Sequence, residues 1–129
     1  MDAPPPGGPA APRGRRQRLG ARGEQLAAEW YLAHGYQVIA RNWRCREGEL
    51  DLVVTRAGEL VFCEVKTRSS DRFGLPAEAV TPAKQRRLRV LAARYLADHE
   101  GGTGARGRRV RFDVAAVMGG RVEVIEAAF

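Results

Sequence analysis

The sequence predicts a single α/β domain in which helices pack on a mixed sheet. The length of 129 residues suits one hydrophobic core. The apolar periodicity gives the order helix, three strands, helix and two strands, and the sequence contains no internal repeat. We therefore expect residues 1–19 to form an arm and residues 20–129 to form the domain.

The arm has the composition of a disordered segment, because it offers little apolar surface to bury. Its basic end would add electrostatic attraction to a phosphate backbone, although a solvated tail without a role explains the composition equally well. The prolines and arginines that define the arm are Pro4, Pro5, Pro6, Pro9, Pro12, Arg13, Arg15, Arg16 and Arg18.

The first helix is predicted from about Gly20 to His34, with Gly35 as its left-handed stop. Glu24 lies near the start of this helix, where a carboxylate suits the helix dipole. The apolar stripe expected to face the sheet contains Leu26, Ala27, Trp30, Tyr31 and Ala33.

The second helix is predicted to begin with Thr81 as its N-cap and Pro82 at its first position, and to extend to about His99. Its expected buried residues are Leu88, Leu91, Ala92, Tyr95 and Leu96. Its other sides carry the basic residues Lys84, Arg86, Arg87, Arg89 and Arg94. Such a run fits contact with phosphates, and it fits a solvated helix face as well.

Five segments have the Val, Ile, Leu and aromatic content of strands and are bounded by turn residues. They are residues 36–43, 50–55, 60–67, 110–118 and 121–125. Gly119 and Gly120 form the expected turn between the last two strands. Residues 69–79 and 100–109 are expected to be loops.

The second and third strands form a hairpin that brings acidic and basic side chains together. If Ala57 and Gly58 are its two-residue loop, Asp51 lies opposite Glu64, with Cβ atoms about 4.5–5.5 Å apart. Two carboxylates that close repel each other unless a proton or a cation lies between them. Lys66 is two residues beyond Glu64 and therefore points to the same face.

This arrangement predicts a metal site. Hard carboxylate oxygens suit Mg²⁺ or Mn²⁺, and a neighbouring ammonium group orients an attacking water or helps to deprotonate it. The alternative is an ion pair of Lys66 with Asp51 or Glu64 at the strand ends. A one-residue bulge in the hairpin would shift the pairing.

The charge favours polyanionic partners, with nucleic acid first and anionic membrane second. The chain has 22 Lys and Arg residues against 15 Asp and Glu residues, a formal charge of +7. Arginine strongly outnumbers lysine, so an arginine-rich genome accounts for part of this excess. Cys45 and Cys63 lack a second pair for a zinc motif. Both histidines, His34 and His99, lie at predicted helix ends, far in sequence from the acids, which argues against a histidine-based site.

No apolar run in the sequence approaches a membrane span, and the basic N-terminus has no apolar signal region. We therefore expect a cytoplasmic protein without membrane contact.

Several segments together resemble the YraN family of small, largely uncharacterised bacterial proteins, which are similar to archaeal Holliday junction resolvases. These segments are residues 20–24 (GARGE), 27–35, 48–52 (GELDL), 61–68 and 111–114 (RFDV). The resemblance covers the chain from Gly20 to its C-terminus. It implies a restriction-endonuclease-like core of order αβββαβ, with a mixed central sheet flanked by helices.

The resemblance also implies roles for individual residues. Asp51, Glu64 and Lys66 fall on the signature of the PD-(D/E)XK nucleases, in which the two acids bind Mg²⁺ and the lysine positions the nucleophilic water. Glu24 falls on the first-helix acid that resolvase-like members bring to the metal centre. The proline of the signature is replaced by Leu50. Glu49 ranks below the other four, as either an additional ligand or an exposed acid at the rim.

These observations predict a metal-dependent endonuclease-like protein that binds and cleaves DNA, with branched or damaged DNA among its candidate substrates. Weaker candidates for contact with nucleic acid are Arg68, Lys84, Arg87 and Arg94. One alternative is a non-catalytic nucleic-acid-binding module with a nuclease fold. Another is a protein-binding domain in which the acids and Lys66 form a buried ion network. A homodimer is expected only by analogy with resolvases.

Overall fold

The computed structural model describes residues 15–68, 80–100 and 108–129. These residues form two helices and five strands in the predicted order. The elements are α1 (Arg15–Ala33), β1 (Gln37–Cys45), β2 (Gly48–Arg56), β3 (Glu59–Arg68), α2 (Pro82–Glu100), β4 (Arg109–Met118) and β5 (Arg121–Ile125). Residues 1–14 of the predicted arm and the predicted loops over 69–79 and 101–107 lie outside the described residues.

Within the described residues, the strands form one mixed sheet in the order β1-β2-β3-β4-β5. Strands β3 and β4 are parallel, and the other neighbouring pairs are antiparallel. A parallel pair requires a long crossover connection, and the segment that contains α2 supplies it. The observed order confirms the predicted α/β class and the predicted αβββαβ order of the core, with a mixed central sheet flanked by helices.

One helix packs on each face of the sheet, which gives three layers. The cluster on the α1 side contains Ala27, Ala28, Tyr31, Tyr36, Leu52, Val54, Val61, Cys63 and Ala115. The cluster on the α2 side contains Leu50, Val53, Leu60, Phe62, Val80, Leu88, Leu91, Ala92, Tyr95, Phe112 and Val114. Because β2 and β3 are covered on both faces, their sequences are nearly continuous apolar runs rather than strict alternations.

The first helix differs from its prediction in two respects. It begins at Arg15, five residues before the predicted start at Gly20, because the Arg, Gln and Leu residues in this stretch are good helix formers. Its buried face is also rotated: Ala33 is exposed, and Leu26 and Trp30 are only half-buried. The residues that face the sheet are Gly23, Ala27, Ala28 and Tyr31.

Small residues cause this rotation, because they allow the backbone of α1 to approach the sheet closely. A Cβ added at Gly23 would overlap the side-chain hydroxyl of Thr67 on β3. Only glycine fits at this contact, which fixes the position of α1 along β3. The glutamate that follows it, Glu24, is thereby held beside the end of the strand.

The C-terminal end of α1 and the N-terminal end of α2 lie where the sequence predicts them. Gly35 has a φ of 86° and ends α1 as predicted. The backbone N–H of Lys84 donates to Thr81 Oγ1 at 3.2 Å, which confirms the predicted N-cap of α2. Of the predicted buried residues of α2, only Leu96 is half-buried rather than buried.

The RFDV segment has a structural role in the described part of the chain. Asp113 is fully buried. It accepts hydrogen bonds from the Tyr31 hydroxyl at 2.7 Å, from Arg111 Nε and Nη2 at 2.8 Å each, and from the backbone N–H of Ala127 at 3.0 Å. Burial raises the pKa of Tyr31, which keeps the phenol a donor. Because a buried carboxylate requires such partners, this network joins α1 to β4 and to the C-terminal segment.

Cys45 and Cys63 are both free thiols, and Cys63 packs as a small apolar residue as predicted. Neither described helix combines the length and the apolar character that crossing a membrane requires.

Candidate metal centre

The hairpin of β2 and β3 has the two-residue turn that the sequence predicts. Ala57 and Gly58 have φ values of 44° and 83°, and two positive values in succession are typical of a type I′ turn. The closing pair is Arg56 with Glu59. The predicted pairs Thr55–Leu60 and Val53–Phe62 are both present.

The third predicted pair, Asp51–Glu64, is not formed, because the regular pairing of β2 with β3 ends at Leu52–Cys63. Beyond that pair, Asp51 Oδ2 accepts a hydrogen bond from the backbone N–H of Val65 at 2.8 Å. A side-chain carboxylate thus contacts β3 where the backbone ladder has stopped. Asp51 therefore lies against the backbone between Glu64 and Lys66.

The side chains of β2 also change faces at this point. Leu50 belongs to the cluster on the α2 side and Leu52 to the cluster on the α1 side. In a regular strand, residues two positions apart point to the same face. The irregularity at Asp51 explains how its carboxylate contacts β3 and also approaches α1.

Three acids converge where β2 meets α1. Glu24, Glu49 and Asp51 each offer a carboxylate oxygen, and these three atoms lie within 4.8 Å of one another. We call these three residues the acid cluster. The sequence ranked Glu49 below the other acids. The sequence indicated Glu49 only by its position two residues before Asp51 on the same strand. That spacing does not show that Glu24 of α1 lies beside both of them.

The electrostatics of the acid cluster suit a cation. Burial, together with the charge of Glu64 and the smaller effects of Glu24 and Glu49, raises the pKa of Asp51 to about 8. The hydrogen bond from Val65 opposes this shift. A divalent cation would relieve the repulsion that raises the pKa. The donors are all carboxylate oxygens, which fit Mg²⁺ or Mn²⁺.

Glu64 lies beside the acid cluster and is held by two lysines. Its Oε2 atom is 3.2 Å from Lys66 Nζ and 3.4 Å from Lys84 Nζ. Glu64 is nearly buried, with 9% of its surface exposed. The structure thus contains the ion pair of Glu64 with Lys66 that the sequence offered as the alternative to a metal site. The sequence ranked Lys84 only as a weak contact for nucleic acid, because a lysine at a helix start does not reveal which strand it faces.

The pKa values of the two lysines shift in opposite directions. Burial disfavours the charge on Lys66, but the attraction of the Glu64 and Asp51 carboxylates outweighs it and raises the Lys66 pKa. Burial and the neighbouring Lys66 lower the pKa of Lys84. Two lysine side chains thus share one carboxylate oxygen.

The other predicted contacts for nucleic acid are Arg68, Arg87 and Arg94. Arg94 forms ion pairs with Glu47 and Asp98, at 3.2 Å each. Arg87 is exposed, and Arg68 is half-buried at the end of β3. Lys84 contacts Glu64 at 3.4 Å, and the roles of all four candidates stay predictions.

A guanidinium group also contacts the acid cluster. Arg44 Nε donates to Glu49 Oε2 at 2.7 Å across the β1–β2 hairpin. This hydrogen bond raises the pKa of Arg44. The sequence did not reveal this contact, because arginine is abundant throughout the chain.

The fold and these side chains define an α/β domain with a candidate carboxylate metal centre at the ends of β2 and β3 that lie away from their turn. A sequence model of Uncharacterised protein family UPF0102 matches residues 23–117, and the chain belongs to that family. This finding confirms the predicted resemblance to a family of small uncharacterised bacterial proteins. The matched residues include the acid cluster, Glu64 and both lysines of the centre.

Individual relatives support the same assignment. A UPF0102 protein of Beutenbergia cavernae is 54% identical over 103 residues, which cover 80% of this chain and 84% of the relative. One from Clavibacter michiganensis subsp. michiganensis is 50% identical over 119 residues, covering 88% and 98%. A third, from Symbiobacterium thermophilum, is 50% identical over 118 residues, covering 88% and 97%.

Among solved structures, the chain is similar to the crystal structure of a repair endonuclease from Pyrococcus abyssi, with a TM-score of 0.43 and 20% sequence identity. The match covers 92% of this chain and 43% of the other. The chain thus spans less than half the length of that endonuclease.

Proposed function

We propose that this protein is a divalent-metal-dependent nuclease that hydrolyses phosphodiester bonds in DNA. The position of Asp51 is the observation that carries the proposal. Its carboxylate meets Glu24 and Glu49 on one side and is bonded on the other to the backbone N–H of Val65. A scaffold alone does not require three carboxylates within 4.8 Å of one another, at a cost in repulsion.

The carboxylates of Glu24, Asp51 and Glu64 would hold Mg²⁺ or Mn²⁺, and Glu49 would provide a further oxygen. When bound, such an ion supplies Lewis-acid activation of the scissile phosphate and lowers the pKa of a bound water. The hydrogen bond from Val65 fixes the orientation of the Asp51 carboxylate, as supporting contacts do for metal ligands in general.

Lys66 and Lys84 add positively charged groups beside the carboxylates. Lys66 is anchored to Glu64 at 3.2 Å, and it would orient the attacking water by hydrogen bonding. Lys84, at 3.4 Å from the same oxygen, adds a second positive group beside the position where negative charge develops on the phosphoryl oxygens. The two lysines lie on different elements, β3 and α2, so the site is assembled only in the folded domain.

DNA is the substrate that we propose, because the chain has a formal charge of +7 and the α2 helix, which also supplies Lys84, carries exposed arginines. Symmetric cutting of a branched substrate requires two active sites, so a homodimer belongs to this proposal. Cytoplasmic location stays a prediction from the sequence.

Cleavage of labelled linear, flap and four-way-junction DNA tests the proposal. We expect cutting with Mg²⁺ or Mn²⁺, none with EDTA, and loss of cutting in Glu64→Ala and Lys66→Ala. Glu29→Ala is the matched control, because Glu29 is an exposed acid on α1. Cleavage that persists in Glu64→Ala would remove the assignment of this centre.

A second candidate function is a nucleic-acid-binding module without catalysis. The ion pairs of Glu64 with Lys66 and Lys84 favour it, because they neutralise one of the proposed ligands. This candidate predicts salt-sensitive DNA binding that neither EDTA nor the Glu64→Ala substitution alters, and no cleavage.

A further inference from the structure

Glu49 has two kinds of neighbour. Its carboxylate belongs to the acid cluster, and its Oε2 atom accepts the Arg44 Nε hydrogen bond at 2.7 Å. The side chain of Arg44 is 65% exposed and that of Glu49 is 33% exposed. Glu49 therefore stands at the boundary between the centre and the solvent, with the guanidinium on the outer side.

The tip of the β1–β2 hairpin forms an open concavity of about 360 Å³ next to this contact. Its lining consists of Arg44, Cys45, Arg46, Glu47, Gly48 and Glu49. Gly48 has a φ of 145°, and a Cβ there would lie 3.5 Å from the Leu91 side chain. The hairpin tip is thus packed against α2, which gives the concavity a fixed wall.

We propose that Arg44 binds a phosphate group of the substrate strand, and that uptake of a cation by the acid cluster releases Arg44 from Glu49 for this purpose. This inference rests on the proposed function. A divalent cation and a guanidinium group repel each other and compete for the same carboxylate. The released guanidinium remains beside the concavity, where its planar donors match phosphate oxygens.

The neighbouring ion pair provides a contrast. Arg94 Nη1 is 3.2 Å from Glu47 Oε1, so it is also an arginine paired with a glutamate of the hairpin. Glu47 does not belong to the acid cluster. Cation uptake therefore has no direct means of releasing Arg94, although removing Arg94 removes the same charge from the same region.

The experiment compares wild type with Arg44→Gln and Arg94→Gln. Mn²⁺ affinity is measured by calorimetry without DNA, and binding to a labelled four-way junction is measured against salt concentration in Ca²⁺ and in EDTA. We expect Arg44→Gln to bind Mn²⁺ about two- to five-fold more tightly, because a competing surface ion pair is worth about that factor. Its salt slope should be shallower by about 1 in Ca²⁺ and unchanged in EDTA. Arg94→Gln should change the salt slope of DNA binding by the same amount in Ca²⁺ and in EDTA.

Mn²⁺ affinity of Arg44→Gln that is unchanged or weaker than wild type would overturn the proposal. So would a salt slope that changes equally in Ca²⁺ and EDTA. Mn²⁺ binding by Asp51→Asn shows whether only the role of Arg44 has failed or the proposed metal centre has failed as well. If wild type binds Mn²⁺ and Asp51→Asn does not, the metal centre stands and only the role of Arg44 is lost. If wild type binds no Mn²⁺, both proposals fail.

Discussion

Asp51 Oδ2 accepts the backbone N–H of Val65 at 2.8 Å, and this hydrogen bond joins β2 to β3 where their regular pairing has ended. The same carboxylate lies within 4.8 Å of oxygens of Glu24 and Glu49. A group that repels its neighbours is thus fixed in place by one backbone donor. Such sites are commonly less stable than the rest of the fold and gain stability when the ligand is bound.

Asp51→Asn should stabilise the protein in EDTA at alkaline pH. Burial and the nearby acids raise the pKa of Asp51 to about 8, whereas an unfolded aspartate titrates near 3.9. The folded state therefore binds more protons between these values, and the unfolding free energy of wild type should fall as the pH rises from about 4 to about 8. Asn keeps an acceptor for the Val65 N–H and removes the charge.

We expect Asp51→Asn to be more stable than wild type by roughly 1–3 kcal/mol at pH 8.5, and the difference to shrink toward pH 4. Thermal unfolding at both pH values measures this difference. Addition of Mn²⁺ should raise the melting temperature of wild type and leave that of Asp51→Asn unchanged. A variant that melts below wild type in EDTA at pH 8.5 would show that the carboxylate is not strained.

Lys66→Met distinguishes a catalytic centre from a buried ion network. Glu64 has two lysine partners, at 3.2 and 3.4 Å, so Lys84 still neutralises it when Lys66 is removed. We expect the variant to fold with a melting temperature within a few degrees of wild type and to lose about 10²–10⁴-fold in cleavage rate. A variant that fails to fold would favour the ion network instead.

The double variant Lys66→Met, Lys84→Met is the companion to this test. It leaves the nearly buried Glu64 without either lysine partner, and removing the partners of a buried charge costs about 3–5 kcal/mol. Mn²⁺ should recover part of that loss if Glu64 is a ligand. Denaturant unfolding with and without Mn²⁺ measures both effects, and equal loss in the two solutions would argue against Glu64 as a ligand.

The β2–β3 hairpin was predictable because its signals are local. The Leu and Val content of the two segments predicts the strands, and Ala57 and Gly58 predict the turn between them. The contacts of Glu24 and Lys84 were not predictable from spacing, because each comes from a helix whose rotation depends on packing. The error in the α1 stripe has the same origin: Ala27 and Tyr31 are buried as predicted, but the close approach at Gly23 leaves Trp30 only half-buried.

Tyr31→Phe should destabilise the fold and leave the metal centre intact. The Tyr31 hydroxyl donates to the fully buried Asp113 at 2.7 Å, and its loss leaves a buried acceptor with one partner fewer. A loss of about 1–3 kcal/mol in the free energy of unfolding is expected. Denaturant unfolding measures it. Mn²⁺ affinity should be that of wild type, and a changed affinity would mean that this network reaches the acid cluster.

Gly23→Ala should damage the metal centre from a distance, because the added Cβ would overlap the Thr67 hydroxyl and push α1 away from β3. Overpacking of this kind costs about 1–3 kcal/mol, and the displaced helix carries Glu24 away from Asp51. We expect both a lower melting temperature and weaker Mn²⁺ binding. Adding Thr67→Ala should restore part of both, because it removes the overlapping oxygen. Weaker stability with unchanged Mn²⁺ affinity would exclude Glu24 from the ligand set.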